Sequence, residues 1–182
     1  PYLTRKRVGR PAVALKLAVT SDGFVGRKGE EISVTGSLAR ALVHRTRADH
    51  DAILVGAETV RADDPDLTVR LPGLADRSPH RFVLSGTGDF PSGSKLAHTA
   101  RSVPVSIITD RTNLPSELST AGVMRFAAER HDGGLALPEI LEDMASMGIS
   151  SLMVEGGAKA AEAFLKADLV DRLELYTAPT GR

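Results

Sequence analysis

The sequence predicts an α/β protein, with a central, mostly parallel sheet flanked by helices. Three observations carry that prediction. Short apolar runs bounded by Gly, Pro, Ser and Asp recur along the chain. Segments with apolar residues at helical spacing separate the last of these runs, the alternation that parallel pairing requires. One run, SLMVE, ends at Glu155 and passes through Gly156-Gly157 into the alanine-rich AKAAEAFL, as a strand does when a tight turn feeds it into a helix. The chain has 182 residues, 42% hydrophobic and 25% charged, enough for one domain with a sizeable core.

Residues 1–11 (PYLTRKRVGRP) are basic and poor in core formers, and read as an arm leading into the domain at 12–182. From Ala12, the residues Val13, Leu15, Leu17 and Val19 alternate with Ala14, Lys16 and Ala18, the period of a strand. Ser21-Asp22-Gly23 breaks it, and Gly26 and Gly29 bracket a loop. Thr35 or Ser37 caps a helix to about His50, with Leu38, Ala41 and Leu42 on one face. Asp51 to Gly56 is a short buried strand, and Glu58 to Pro65 a polar loop holding one helical turn. Further strands are expected at Arg81–Ser85, Val103–Thr109, Val123–Ala127, Ser151–Glu155 and Arg172–Ala178, with a loop from Ser85 to Ser94. Between the last three strands lie two helices. One runs from Pro138 to Met147 with Leu137, Ile140, Leu141 and Met144 as its apolar face; the other follows Gly157 with Ala161, Phe164 and Leu165 inward. Repeats and low-complexity segments are absent from the sequence.

Composition narrows the partners. Lys and Arg number 23, Asp and Glu 23, and the basic residues are scattered rather than striped. Aromatics make up 4% and tryptophan is missing, so nothing resembles a nucleic-acid stacking platform. No apolar run approaches the roughly 20 residues of a membrane-spanning helix, and Pro1 to Arg10 lacks the apolar centre of a secretory leader. The absence of cysteine rules out disulfides and thiolate zinc sites within this sequence. A cytoplasmic protein acting on a small molecule, without nucleic acid or membrane, is the expectation.

Three stretches carry candidate chemistry, each with a plainer alternative. VEGG delivers two glycines to a helix start, where free N–H groups and the helix dipole favour phosphate; the same pair also makes an ordinary tight turn. Glu155 lies at the carboxyl end of an apolar strand, either as a solvated acid or as a ligand-facing one. Lys16 sits between Ala14 and Ala18, with room for a ligand beside its amine, or it snorkels to water from an edge. In GAETVRADDPDLTVR, Thr59 and Asp63 share one side of a helical turn, while Arg70 and the earlier Arg47 are either a phosphate clamp or surface residues. The five histidines show no metal-ligand spacing and are expected at the surface, and G-x-S-x-G does not occur.

Together, VALKLAVTSDGFVG, RADHDAILVGAETVRADDPDLTVR, LMVEGGAKAAEAFL and ADLVDRLELYTAP resemble the reductase domain of the bifunctional riboflavin-biosynthesis deaminase–reductase, a member of the dihydrofolate-reductase-like superfamily. The resemblance runs from Arg10 onward. It implies a three-layer dihydrofolate-reductase-like fold and NADPH-dependent reduction of the ribosyl group of 5-amino-6-(5-phosphoribosylamino)uracil to a ribityl chain. It further implies a homodimer, and a reductase half fused to or cut from a deaminase domain. Carried over residue by residue, it places Ala18, Thr59, Asp63 and the segment from Gly157 through Ala158, Lys159 and Ala160 on the cofactor. Arg47, Leu67, Arg70 and Glu155 match substrate positions, with the arginines on the 5′-phosphate. Lys16 matches a lysine of the cleft, expected to polarise or protonate the opening sugar, and Asp63 is the second catalytic candidate. The chain departs from the family where GEEISVTG lacks the usual tryptophan, where Ser85-Gly86 replaces an acid and a hydroxyl, and after Ala178, where further structure is usual. Another pteridine or pyrimidine reductase of the superfamily and a non-catalytic nucleotide-binding module are the alternatives. A folate reductase would need a carboxylate at the first helix, and Val34 to Leu38 offers none.

Overall fold

The structure is a computed structural model that describes residues 1–19 and 37–177. The expected loop at Gly26 and Gly29, the cap at Thr35, the family departures near Glu31 and Ser33, and residues 178–182 lie outside the described residues, as do the side chains of Ser37 and Leu38. The elements in chain order are α1 (Tyr2–Val8), β1 (Ala12–Val19), α2 (Ser37–Ala48), β2 (Ala52–Gly56), α3 (Ala57–Asp63), β3 (His80–Leu84), α4 (Lys95–His98), β4 (Val105–Thr109), α5 (Ser116–Ala121), β5 (Met124–Ala127), β6 (Arg130–His131), β7 (Gly134–Leu135), α6 (Leu137–Ser146), β8 (Ser151–Glu155), α7 (Ala158–Lys166) and β9 (Arg172–Thr177).

Seven strands form one sheet in the order β5-β4-β3-β2-β8-β1-β9, and each neighbouring pair is parallel. All their carboxyl ends therefore open on one edge, where α/β proteins place ligands. The short β6 and β7 form a separate antiparallel pair. Strand alternation divides the core between two faces. On one, Val13, Leu15, Leu54, Phe82 and Val154 meet Ile140 and Leu141 of α6 and Phe164 of α7. On the other, Ile53, Val55, Val83, Ile107 and Met153 meet Val60 of α3, Leu96 of α4 and Leu118 of α5. The result is three layers, helices over both faces of the sheet.

The opposite, amino-terminal edge is closed by carboxylates. Asp51 Oδ2 accepts from the amides of Ser150 and Ser151 at 2.8 and 3.1 Å. Asp171 accepts from Val13 N at 2.7 Å and takes both ends of the Arg10 guanidinium at 2.6 and 3.0 Å. The arm forms α1, which buries no residue but is tied by Arg5 donating to Gly148 O at 2.7 Å.

Several expectations shift. Where Glu58 to Pro65 was expected as a polar loop with one turn, Ala57–Asp63 is a helix of seven residues, and Asp64 ends it in the left-handed conformation. Leu42 is 53% exposed and Leu165 51%, so neither faces inward. In α7 the buried stripe is Ala160, Ala161 and Phe164, which leaves Leu165 on the flank. The inward positions of α2 include His44, Arg47 and Ala48, because this helix covers a polar cleft. His80 is not at the surface. It stacks on Phe82 at 4.2 Å, its Nε2 lies 2.8 Å from Ser106 Oγ, and burial and nearby Arg81 pull its pKa down to about 4.

Candidate active site

Strand register puts Lys16 and Glu155 side by side. They are Cα partners across β1 and β8, and they share the sheet face that α2 and α3 cover. Lys16 Nζ donates to Glu155 Oε1 at 3.0 Å and lies 5.3 Å from the centre of the Tyr176 ring, a cation–π distance. Arg47 reaches down from α2. Its Nη2 donates to Glu155 Oε1 at 2.9 Å, its Nε to Oε2 at 3.1 Å, and its Nη1 to Thr68 O at 3.3 Å. The side chains of Lys16, Arg47 and Glu155 are 15%, 11% and 12% exposed, so solvent screens them little.

Burial alone would push the Glu155 carboxyl up. The charges of Arg47 and Lys16, with their hydrogen bonds, outweigh it and hold the pKa at about 2. Glu155 is an acceptor at neutral pH. Among the described residues, Oε1 takes two donors and Oε2 takes one, so Oε2 can accept one more from a ligand.

The turn after Glu155 explains its glycines. Gly156 and Gly157 have φ of 76° and 83°, a region that L side chains rarely adopt. A Cβ on Gly157 would lie 2.8 Å from Thr59 Oγ1. The glycines thus let the start of α7 approach α3. No side chain caps α7, and its first intrahelical bond runs from Ala161 N to Gly157 O at 3.0 Å. Among the described residues nothing outside α7 accepts from the amides of Ala158, Lys159 and Ala160, so they suit an outside acceptor.

Two cavities meet at this contact, and Thr59 and Gly157 line both. The smaller, about 460 Å³, holds the Lys16–Arg47–Glu155 cluster together with Ala18, Asp63 and Arg70. The larger, about 760 Å³, runs from Ala158, Lys159 and Ala160 past Ser85 and Thr87 to Arg111 and Arg130. Every residue expected at the site lines one cavity or the other. They differ in availability. Arg47 has its fork committed to Glu155, whereas the Arg70 side chain is 67% exposed. Leu67 lines the smaller cavity, but it is only 2% exposed and belongs to the core. Lys159 extends to Glu58 at 2.7 Å on the surface.

Sequence reasoning missed Tyr176, Lys95 and Arg81. Tyr176 sits two residues past Glu174 on β9, on the same face, and the pairing of β9 with β1 (Glu174 with Lys16, Tyr176 with Ala18) brings it beside Lys16. Lys95 lines the smaller cavity, and its amide donates to Asp64 Oδ1 at 2.8 Å. In the sequence Arg81 marks only the start of a strand. Among the described residues no group of three or more metal-ligating side chains gathers, and no helix is long and apolar enough to cross a membrane.

The model of the RibD C-terminal domain matches residues 11–181. The riboflavin biosynthesis protein RibD of Bacillus amyloliquefaciens is 35% identical over 182 residues, covering 98% of this chain and 48% of that protein. The chain thus spans about half the length of the curated relatives it matches. The structure of RibD from Acinetobacter baumannii superposes with a TM-score of 0.82 at 30% identity, over 100% of this chain and 49% of the other. The riboflavin biosynthesis reductase Rib7 of Saccharomyces cerevisiae follows with a TM-score of 0.77 at 25% identity, over 95% of this chain and 75% of that one. A dihydrofolate reductase of Enterococcus faecalis, 15% identical with a TM-score of 0.51, shares the fold alone. With its parallel sheet, three layers and carboxyl-edge cleft, this chain belongs to the RibD C-terminal domain family.

Proposed function

We propose that the chain is an NADPH-dependent reductase that converts the ribosyl group of 5-amino-6-(5-phosphoribosylamino)uracil to the ribityl product. The observation that carries this reading is the junction at Thr59 and Gly157, where a cavity holding a buried carboxylate and two cations meets one holding an uncapped helix start. The larger cavity suits the dinucleotide. Free amides at α7 meet a pyrophosphate, and the two positive-φ glycines keep a Cβ out of its way. Arg111 at the far end, beside Ser85 and Thr87, suits the phosphate that distinguishes NADPH from NADH. Bound NADPH supplies a hydride. Ala18 and Asp63 line the smaller cavity, so the nicotinamide end belongs on that side.

The remaining work falls to the chain's own side chains. Glu155 accepts an N–H of the pyrimidine through the free site on Oε2. Lys16 would donate a proton to the ring oxygen as the C1–O bond breaks, leaving a protonated imine whose C1 would take the hydride to give the neutral ribityl amine. Arg47 keeps Glu155 ionised and aimed, and Arg70, exposed and held only at 4.0 Å by Asp66, turns to the 5′-phosphate.

The relatives' greater length fits fusion to a deaminase domain. Leu173 and Leu175, half-exposed on the edge strand β9, suit a homodimer. A cytoplasmic location completes the proposal. The test is direct: mix the chain with NADPH and the substrate, and follow loss of reduced-nicotinamide absorbance. Turnover supports the reading. Turnover with dihydrofolate but not with this substrate overturns it.

A further inference from the structure

Arg81 is fully enclosed, with 0% exposure, on the sheet face shared with the smaller cavity. An apolar residue would fill the same space without desolvating a cation, a cost of several kcal/mol unless the charge is well paired. The pairing here is specific. Nη1 donates to Asp66 O at 3.0 Å and to Thr99 Oγ1 at 2.8 Å. Nη2 donates to Thr99 O at 3.2 Å and Val103 O at 2.5 Å. The Asp66 carboxylate lies 3.9 Å away, and Nε has no hydrogen-bond partner among the described residues. A guanidinium placed for packing alone would not leave a buried donor unmet, since that costs roughly 1–3 kcal/mol.

These partners lie on two different segments. Asp66 belongs to the irregular stretch from Asp64 to Arg70, and Thr99 caps the end of α4. The stretch is strained: Asp64 and Leu67 have φ of 42° and 60°, without glycine. The turn at Leu67 drives its side chain into the core and leaves the preceding carbonyl facing Arg81. A second tie joins the same two segments, from Lys95 N to Asp64 Oδ1.

We propose that Arg81 is a positioning residue for ligand binding in the smaller cavity, fixing the Asp64–Arg70 stretch against α4 and thereby the place of Arg70 in the cavity wall. The inference rests on the reading that this cavity takes the phosphorylated substrate. Arg81 touches no ligand; it acts through the backbone of Asp66.

The test compares Arg81→Met, Arg81→Lys and Thr99→Val with the wild-type chain. Two quantities are read: KM for substrate and for NADPH, and amide hydrogen exchange at residues 67–70 without ligand. Arg81→Met should raise substrate KM about tenfold or more with NADPH KM within about twofold. It should also speed exchange at Leu67 to Arg70 at least about tenfold while β2 and β8 stay protected. Arg81→Lys should recover part of both. A folded Arg81→Met with wild-type KM and wild-type loop exchange overturns the proposal. If Arg81→Met does not fold, Thr99→Val decides: a several-fold change in both readouts supports the proposal, and none overturns it. If the wild-type chain fails to reduce the substrate, the functional reading falls, and loop exchange still decides the role of Arg81.

Discussion

Glu155→Gln tests the centre of the site. The substitution keeps size and shape but removes the negative charge between Lys16 and Arg47. It also turns an NH2 group toward donors that previously had two oxygens to meet. The folded pKa of about 2, against an ordinary 4.5, corresponds to roughly 3 kcal/mol of stabilisation of the ionised form. For a domain of this size that is a loss of roughly 6–12 °C in Tm at neutral pH. Because the folded pKa lies below the unfolded one, the contribution is complete above pH 4.5 and disappears as pH falls toward 2. The gap in unfolding free energy between wild type and Glu155→Gln should therefore be constant from pH 7 to about 5. Below that it should narrow by about 1.4 kcal/mol per pH unit. Urea titrations at a series of pH values measure it. A gap that stays the same down to pH 3 would refute the claim that paired cations hold Glu155 ionised. In parallel, substrate KM should rise far more than NADPH KM; equal losses would place Glu155 elsewhere.

Lys16→Met should lower kcat by roughly 10²–10⁴ while NADPH affinity, read by fluorescence titration, stays near wild type; an unchanged kcat removes Lys16 from the chemistry. Gly157→Ala should cost roughly 2–4 kcal/mol from the positive φ and the 2.8 Å contact with Thr59 Oγ1. Thr59→Ala should relieve part of that cost, so a double-mutant cycle by urea unfolding should show coupling, and strict additivity would discard the contact. Phe164→Ala, at 0% exposure between α7 and the sheet, should lose roughly 3–5 kcal/mol of unfolding free energy, and a loss under about 1 would contradict its central packing.

The strands were legible because alternation and apolar runs are written locally: β8 begins at Ser151 and ends at Glu155 as expected, and β1 fills the expected run. Glu155 and Lys16 stood out for a related reason, as charges inside apolar patterns. Their pairing with Arg47 did not, because it joins residues 108 apart and depends on how α2 is laid over the sheet. The same fact misled the reading of α2. A helix that roofs a cleft turns polar residues inward, so Leu42 marked the wrong face. The helix α4 escaped because four residues carry too little periodicity, and with it went the partner that makes Arg81 intelligible. Its own neighbours, His80 and Phe82, say only that a strand passes.

The strand order also governs how the molecule comes into being. Among the described residues β1 pairs with β8 and β9, so the first strand of this sheet waits for two late ones before it has a strand neighbour. Closing so long a stretch of chain ahead of any contact slows folding and raises contact order. During synthesis β2 to β5 have one another, while β1 emerges early with an apolar run and nothing to cover it, a stage at which misassociation is a hazard. Lys16 and Glu155 lie on that final seam. The site therefore appears only when the first and the late strands of the chain meet inside the sheet, and no partly made chain should be able to hold a ligand there.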